Sequence, residues 1–420
     1  MNNLRFTLLA IFGLIGQISF AQTTNYGNGS GTGGTNSAYF GVNTGRVSTG
    51  MSNTFIGASS GFNNTTGNYN TFLGQATGYI NTTGSNNTYV GHWSGNRNTT
   101  GSNNAAFGYR TARFNTTGYA NTFMGYMSGY KNTTGYQNTF MGFQSGHNNT
   151  TGYHNTTMGY QSGYNMTSAR YNTLLGYQAG YTTTTSLYNT MVGYQAGYSA
   201  TTGGYNVMVG QGAGRATTTG GFNVYLGRQA GFKGTTARLN VSVGYLAGYN
   251  NESGASNVFI GPYAGYNETG SNKLYIENST NLTTPLIYGD FSANGVGINT
   301  NQLSDGSTDY TLSVNGKVRA TEVKVYTGWA DYVFEEGYQL RSLEEVEAHI
   351  NQNGHLPDVP SAKVVEKNGI FVGEMNATLL RKIEELTLYM IESNKATKAL
   401  QKEVANLKKE NKVLKAKLQK

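Results

Sequence analysis

With no cysteine among its 420 residues, this chain would have to build any chemistry from tyrosine, histidine and hydroxyl side chains. Tyr160, Tyr164, Tyr177, Tyr181, Tyr194 and Tyr198 come in pairs, each pair 17 residues after the last. Such a row suits ring contacts with a glycan or protein ligand, and it equally suits rings that stack on one another. His349, His355 and Asp358 are close enough for an acid–base pair, but nothing beside them supplies a nucleophile or third partner. His92, His147 and His154 lack a regular metal-ligand spacing. The expectation is therefore no catalytic residue, no cofactor and no metal. Asn-x-Thr triplets match a glycosylation pattern, yet they are accounted for as turn residues.

The elements that carry these side chains repeat along the chain. Short apolar strands end in Gly at 57, 74, 91 and so on to 261, and 261 − 57 = 204 = 12 × 17, so thirteen copies run without insertion or deletion. Strict spacing of this kind marks stacked units. Thr54, Thr71, Thr122 and Val207 stand three before the Gly, and Ile56, Leu73, Met124 and Val209 one before it. Both sets are β-formers two residues apart, so they share a face, read here as the inward one. The residue between them varies freely (Phe140, Thr157, Ser242, Phe259) and is read as outward. A second Gly follows four residues later, preceded by Ser, Thr or Ala, and predicts a corner with positive φ or a close backbone approach. Ala112 replaces it in one copy, beside Arg110 and Arg113, which predicts a local bulge.

The expected fold is mainly β: a parallel β-solenoid or β-roll of thirteen 17-residue repeats over 51–270, preceded by an N-terminal segment at 22–50. Thirteen rungs at ~4.8 Å would make a shaft of roughly 60 Å. The start, MNNLRFTLLAIFGLIGQISFAQTT, reads as a signal peptide over residues 1–21, which implies export, and no later segment is apolar enough to span a membrane as a helix. The first Asp is Asp290, which excludes Ca²⁺-binding repeats with a carboxylate in each coil. Residues 57–270 carry nine Lys or Arg against Glu252 and Glu268, a sparse positive face. No basic cluster or reading helix points to nucleic acid. Residues 271–326 read as a β-rich neck and 327–375 as a small α+β module, with a capping box at Ser342-Leu343-Glu344-Glu345. Over 376–420, taking Ile383 as position a gives Met390, Val404 and Leu418 at a, and Leu386, Leu400, Leu407 and Leu414 at d. This is a coiled coil with polar interruptions near 393–397 and at Asn411.

The N-[TV]-x-[LIV]-G strand with its small-Gly corner resembles the head repeats of YadA-type trimeric adhesins and the NTFxGYQAG repeats of secreted Bacteroidetes tail-fibre-like proteins. The stretch before the coil is similar, more distantly, to the intramolecular chaperone of endosialidase-type tail spikes. The resemblance implies a homotrimer, secreted or held at the cell surface, with a head that meets a glycan or cell ligand and a C-terminal module that sets trimerisation and register. The self-cleaving members of the chaperone family carry S-D-x-R-L-K. Here Ser304-Asp305 is followed by Gly-Ser-Thr, so no proteolysis is expected. An ice-binding solenoid would need an outward Thr row, whereas the regular Thr is read as inward or in turns.

Overall fold

The computed structural model describes residues 24–418, which divide into two compact units, 24–318 and 319–418. The expected signal peptide, 1–21, lies outside the described residues. The first unit is a single sheet of nineteen short strands. From β1 (Thr24–Tyr26) to β16 (Lys273–Ile276) each strand pairs in parallel with the next in sequence, the rest of the coil serving as the crossover. Between β3 (Thr54–Ile56) and β15 (Val258–Ile260) partners are 17 residues apart, as for Thr54 with Thr71 and Val241 with Val258. The chain is thus a mainly β parallel solenoid followed by helices. Coiling begins earlier than residue 51. Thr24 pairs with Ala38 and Ala38 with Thr54, so the 22–50 segment supplies coils of 38 − 24 = 14 and 54 − 38 = 16 residues.

The strands face the opposite way from the sequence reading. Phe55, Phe72, Tyr89, Phe123 and Phe140, the middle residues, are fully buried, while Thr and the aliphatic residue on either side point outward. Alternation defines two faces but not which is inner, and the ring at the middle position removes the most apolar area from water. The middle residue varies because its volume is traded against other positions of the same coil. Where Thr157 replaces a ring, the buried Met166 lies near its methyl group, both of them bordering Gly163. The buried rings stack from coil to coil, Phe55 on Phe72 at 4.7 Å and Phe72 on Tyr89 at 5.1 Å.

Asparagine completes the interior. The Asn before each strand is buried, and its side chain serves the neighbouring coils: Asn138 Oδ1 accepts from the backbone N–H and from Nδ2 of Asn155, and Asn138 Nδ2 donates to the Gly152 carbonyl at 2.8 Å. A second buried row, Asn81, Asn98, Asn115 and Asn132, hands Nδ2–H from each coil to Oδ1 of the coil before at 2.6–2.7 Å. These four are the asparagines of Asn-Thr-Thr triplets, and with no surface exposed they offer no place for a glycan. A narrow coil cannot hold only apolar groups, because its backbone turns inward at each corner and must be satisfied there.

The two glycines of a coil have different reasons. Gly142 has φ +128, and a Cβ there would lie 2.4 Å from the Gly159 carbonyl oxygen of the next coil. Gly146 has φ +59, and a Cβ would meet the Phe140 ring at 2.4 Å, so this corner closes on a core ring rather than on a backbone. Ala112 keeps φ 50 and the strand register runs on undisturbed past it, so the expected bulge is absent. The ring six residues earlier is Ala106 in this coil, which leaves room for the methyl group.

After β16 the sheet reverses twice, through β17 (Ile287–Asp290) and β18 (Gly295–Ile298), before β19 (Leu312–Val314) pairs in parallel. Lys273 and Asp290 pair across the first reversal. In the second unit α1 (Leu343–Asn353) starts at the Ser342 capping box and ends at Gly354 with φ 76. A short α2 (Ala362–Asn368), not foreseen in the sequence, precedes α3 (Val372–Lys417), one unbroken helix of 46 residues.

Candidate functional site

Because coils stack in register, every outward position becomes a column, and the candidate sites are columns. Tyr160, Tyr177 and Tyr194 stack at 5.0 and 5.1 Å with ring planes within 9°, extending upward from Tyr109, Tyr126 and Phe143. Tyr164, Tyr181 and Tyr198 form a second column at 5.3 and 5.2 Å, which Tyr130 and His147 continue on one side and the Arg215 guanidinium on the other. The structure therefore gathers the six predicted tyrosines into two ladders. Ring faces cover one another inside each ladder, so what reaches solvent is ring edges and phenolic hydroxyls. Desolvation within its ladder, then the phenols of Tyr198 and Tyr164, push the Tyr181 hydroxyl above the ordinary tyrosine range. Beside the first ladder Gln144, Gln161, Gln178 and Gln195 pass a hydrogen bond from coil to coil at 2.9–3.0 Å.

Two further aromatic columns escaped the sequence reading. Tyr119, Tyr136 and Tyr153 stack at 5.0 and 4.7 Å, and Arg170 takes the next place, its Nη1 donating to the Tyr153 hydroxyl at 2.9 Å. Next to them His154, Tyr171, Tyr188, Tyr205 and Phe222 form a column in which every residue has positive φ. Asn86 and Asn103 hold the same position in earlier coils, and Asn tolerates that conformation better than Tyr does. The signal was available: the residue two before the strand Asn is Tyr at 119, 136 and 153, and the residue directly before it is His, Tyr or Phe at 154, 171, 188, 205 and 222.

The strand face carries a different kind of column. Ile56, Leu73, Phe107, Met124, Met158, Val209 and Ile260 are each 36–46% exposed, one above another, with a Thr or Val column beside them. The ground on which an outward Thr row was set aside thus falls, since Thr54 and Thr71 do face outward. Its companion row, however, is bulky and apolar. In α3 the expected seam residues Ile383, Leu386, Met390, Leu400, Val404, Leu407, Leu414 and Leu418 are 46–82% exposed. At its start Leu379, Ile383 and Leu386 also wall an apolar groove of 410 Å³ with Leu343, Val346 and Leu356.

The histidines stay apart from any reaction geometry. His92, His147 and His154 sit in three different columns, each stacked on a ring. His349 and His355 meet edge to face at 5.4 Å, while Asp358 is taken up by Arg341, Arg381 and Lys382 at 3.2, 3.5 and 3.1 Å. Although partial burial would raise its pKa, Lys382 and Arg341 hold this carboxyl below the usual carboxylate range. Asp305 accepts from the Tyr310 and Ser307 hydroxyls and from two backbone N–H groups, which makes Ser304-Asp305 a loop cap. Among the described residues no group of three or more His, Cys, Asp or Glu could hold a metal, and no helix is long and apolar enough to cross a membrane.

No family model, curated protein or solved structure matches this chain.

Proposed function

We propose that the chain is an exported, homotrimeric fibre without enzymatic activity. Thirteen 17-residue coils form the body of a head that meets a cell or glycan ligand, and residues 376–420 close a three-stranded coiled coil that brings the chains into register. The observation that carries this reading is the apolar column on the strand face, exposed in a single chain along the length of the repeats. Large contiguous apolar surface of this kind is characteristic of a contact face. A partner that meets it row by row must advance at the same ~4.8 Å per row, and another copy of the same solenoid has that spacing by construction. The unpartnered seam of α3 asks for copies in the same way.

Chain identity of the rungs creates a hazard, because identical rows can pair one step out of register. A coil that gathers the C-termini first would remove that freedom. Light scattering behind a sizing column tests the assembly on residues 22–420. Three times the chain mass is expected, and Met124→Asp with Met158→Asp should lower it while leaving the strand content unchanged. A monomeric parent would overturn the proposal.

A further inference from the structure

We infer that the head holds a linear acidic polysaccharide, laid along the axis in the groove between the Tyr136–Tyr153–Arg170 column and a row of free hydroxyls. The inference rests on the reading of the head as a ligand-binding body but not on its trimeric state. The groove encloses 450 Å³ over four coils. One wall is the aromatic column. The other is the outer hydroxyl of each Thr-Thr pair, at Thr134, Thr151, Ser168 and Thr185.

The two hydroxyls of each pair are not equivalent. The inner ones are structural: Thr133, Thr150, Thr167 and Thr184 each donate to the backbone carbonyl one coil on, at 2.9–3.1 Å. The outer ones are exposed and make no bond within the chain, so one donor-acceptor group per coil is left for a ligand. On the opposite wall the stacked rings of Tyr136 and Tyr153 hide their faces and present phenolic oxygens, and Arg170 and Leu187 take the same place in the next two coils. A surface that repeats one free hydroxyl along one side every ~4.8 Å, and faces it with phenols and then a guanidinium, fits a polymer with a similar repeat and hydrogen-bonding groups on both edges. An extended chain of pyranose sugars has those properties, whereas a globular protein without stacked coils has no such period.

The acid requirement comes from Arg170. Its guanidinium is fixed by the Tyr153 hydroxyl at 2.9 Å and lies over the Tyr153 ring, with its remaining N–H groups open to the groove. No carboxylate can neutralise it within the stack, because residues 24–251 contain ten Lys or Arg and no Asp or Glu. A uronate carboxylate or a sulfate ester on the bound sugar supplies the missing charge.

The experiment uses the full mature chain and size-defined oligomers of polygalacturonate, a linear polyuronate, with neutral oligomers of β-1,4-glucan for comparison. Affinity for the polyuronate should rise with length until about four sugars are reached and should fall with salt. Arg170→Gln should lower it about tenfold, the loss expected for one charge-assisted hydrogen bond. Arg228→Gln, elsewhere on the shaft, should leave it unchanged. Equal loss from both substitutions would reduce the effect to net charge and overturn the groove. Equal affinity for the neutral oligomer, or no binding of the polyuronate, would overturn the ligand class. Mass measured on the same samples separates these outcomes from failure of the trimer.

Discussion

Replacing Gly146 by Ala adds one methyl group, and the structure states what that group meets. Its Cβ would lie 2.4, 2.5 and 2.7 Å from Cδ2, Cε2 and Cγ of Phe140, a ring already packed on Phe123 at 5.3 Å. The residue would also keep φ near +59, which costs an L-amino acid about 1–2 kcal/mol. Overpacking adds about 1–3 kcal/mol, so G146A should lose about 2–5 kcal/mol. Phe140→Ala opens a cavity and should lose about 3–5 kcal/mol. If the sites were independent the double variant would lose the sum. The Ala106–Ala112 coil says otherwise, since it holds an alanine with φ 50 beside an alanine in place of the ring. The double variant F140A/G146A should therefore lose only the φ cost of about 1–2 kcal/mol beyond F140A alone, a coupling of about 1–3 kcal/mol. Urea titration followed by circular dichroism would measure the four members of the cycle. Simple additivity, or a G146A chain as stable as the parent, would refute the reasoning.

Asn138→Leu should cost about 2–5 kcal/mol, because it leaves the Asn155 N–H buried without a partner and takes one of two donors from the Gly152 carbonyl, whereas Thr151→Ala should stay within about 0.5 kcal/mol; the same titration checks both. His147 is buried between Tyr130 and Tyr164, and desolvation lowers its pKa below the usual 6.5. The unfolded chain then takes up its proton first as pH falls, so stability present above about 6.5 is lost as the pH drops through the folded value. Thermal melts at pH 7.5 and 5 should show this loss in the parent and a smaller one in His147→Tyr.

Much of the fold could be read from the letters because the period never slips: Gly57 to Gly261 keep one spacing, and only a stack of identical coils demands that. The helical end was also legible, since Ser342, Glu345 and Gly354 cap α1 by local chemistry that needs no neighbour. The orientation of the strands was not. Thr54 and Ile56 are as good a β face as Phe55, and alternation carries no sign. Variation from Phe140 to Thr157 looked like exposure, but it is volume exchanged between coil positions that touch only after folding. Asn132 was misjudged for a related reason. As a letter it suggests a turn, and its role in the core depends on Asn115 and Asn149, which come to it only through the stack. The groove at Tyr136, Tyr153 and Arg170 was hidden likewise, because the column changes from Tyr to Arg and then to Leu187, and the row of free hydroxyls facing it is known only after folding.

The Asn row has terminals of a different kind from its middle. At the first coil the Asn53 N–H finds the Ser37 hydroxyl, and at the last the Asn257 Oδ1 receives the Lys273 N–H; between them each Asn does for the next what the previous one did for it. Any 17-residue segment taken from the interior begins and ends with the same unmet bonds. Duplication or loss of such a segment in the gene would leave both terminals intact and no bond unsatisfied, and would change the reach of the protein by ~4.8 Å. Length is therefore the trait that recombination can adjust most freely in this chain, while its two ends must be inherited whole.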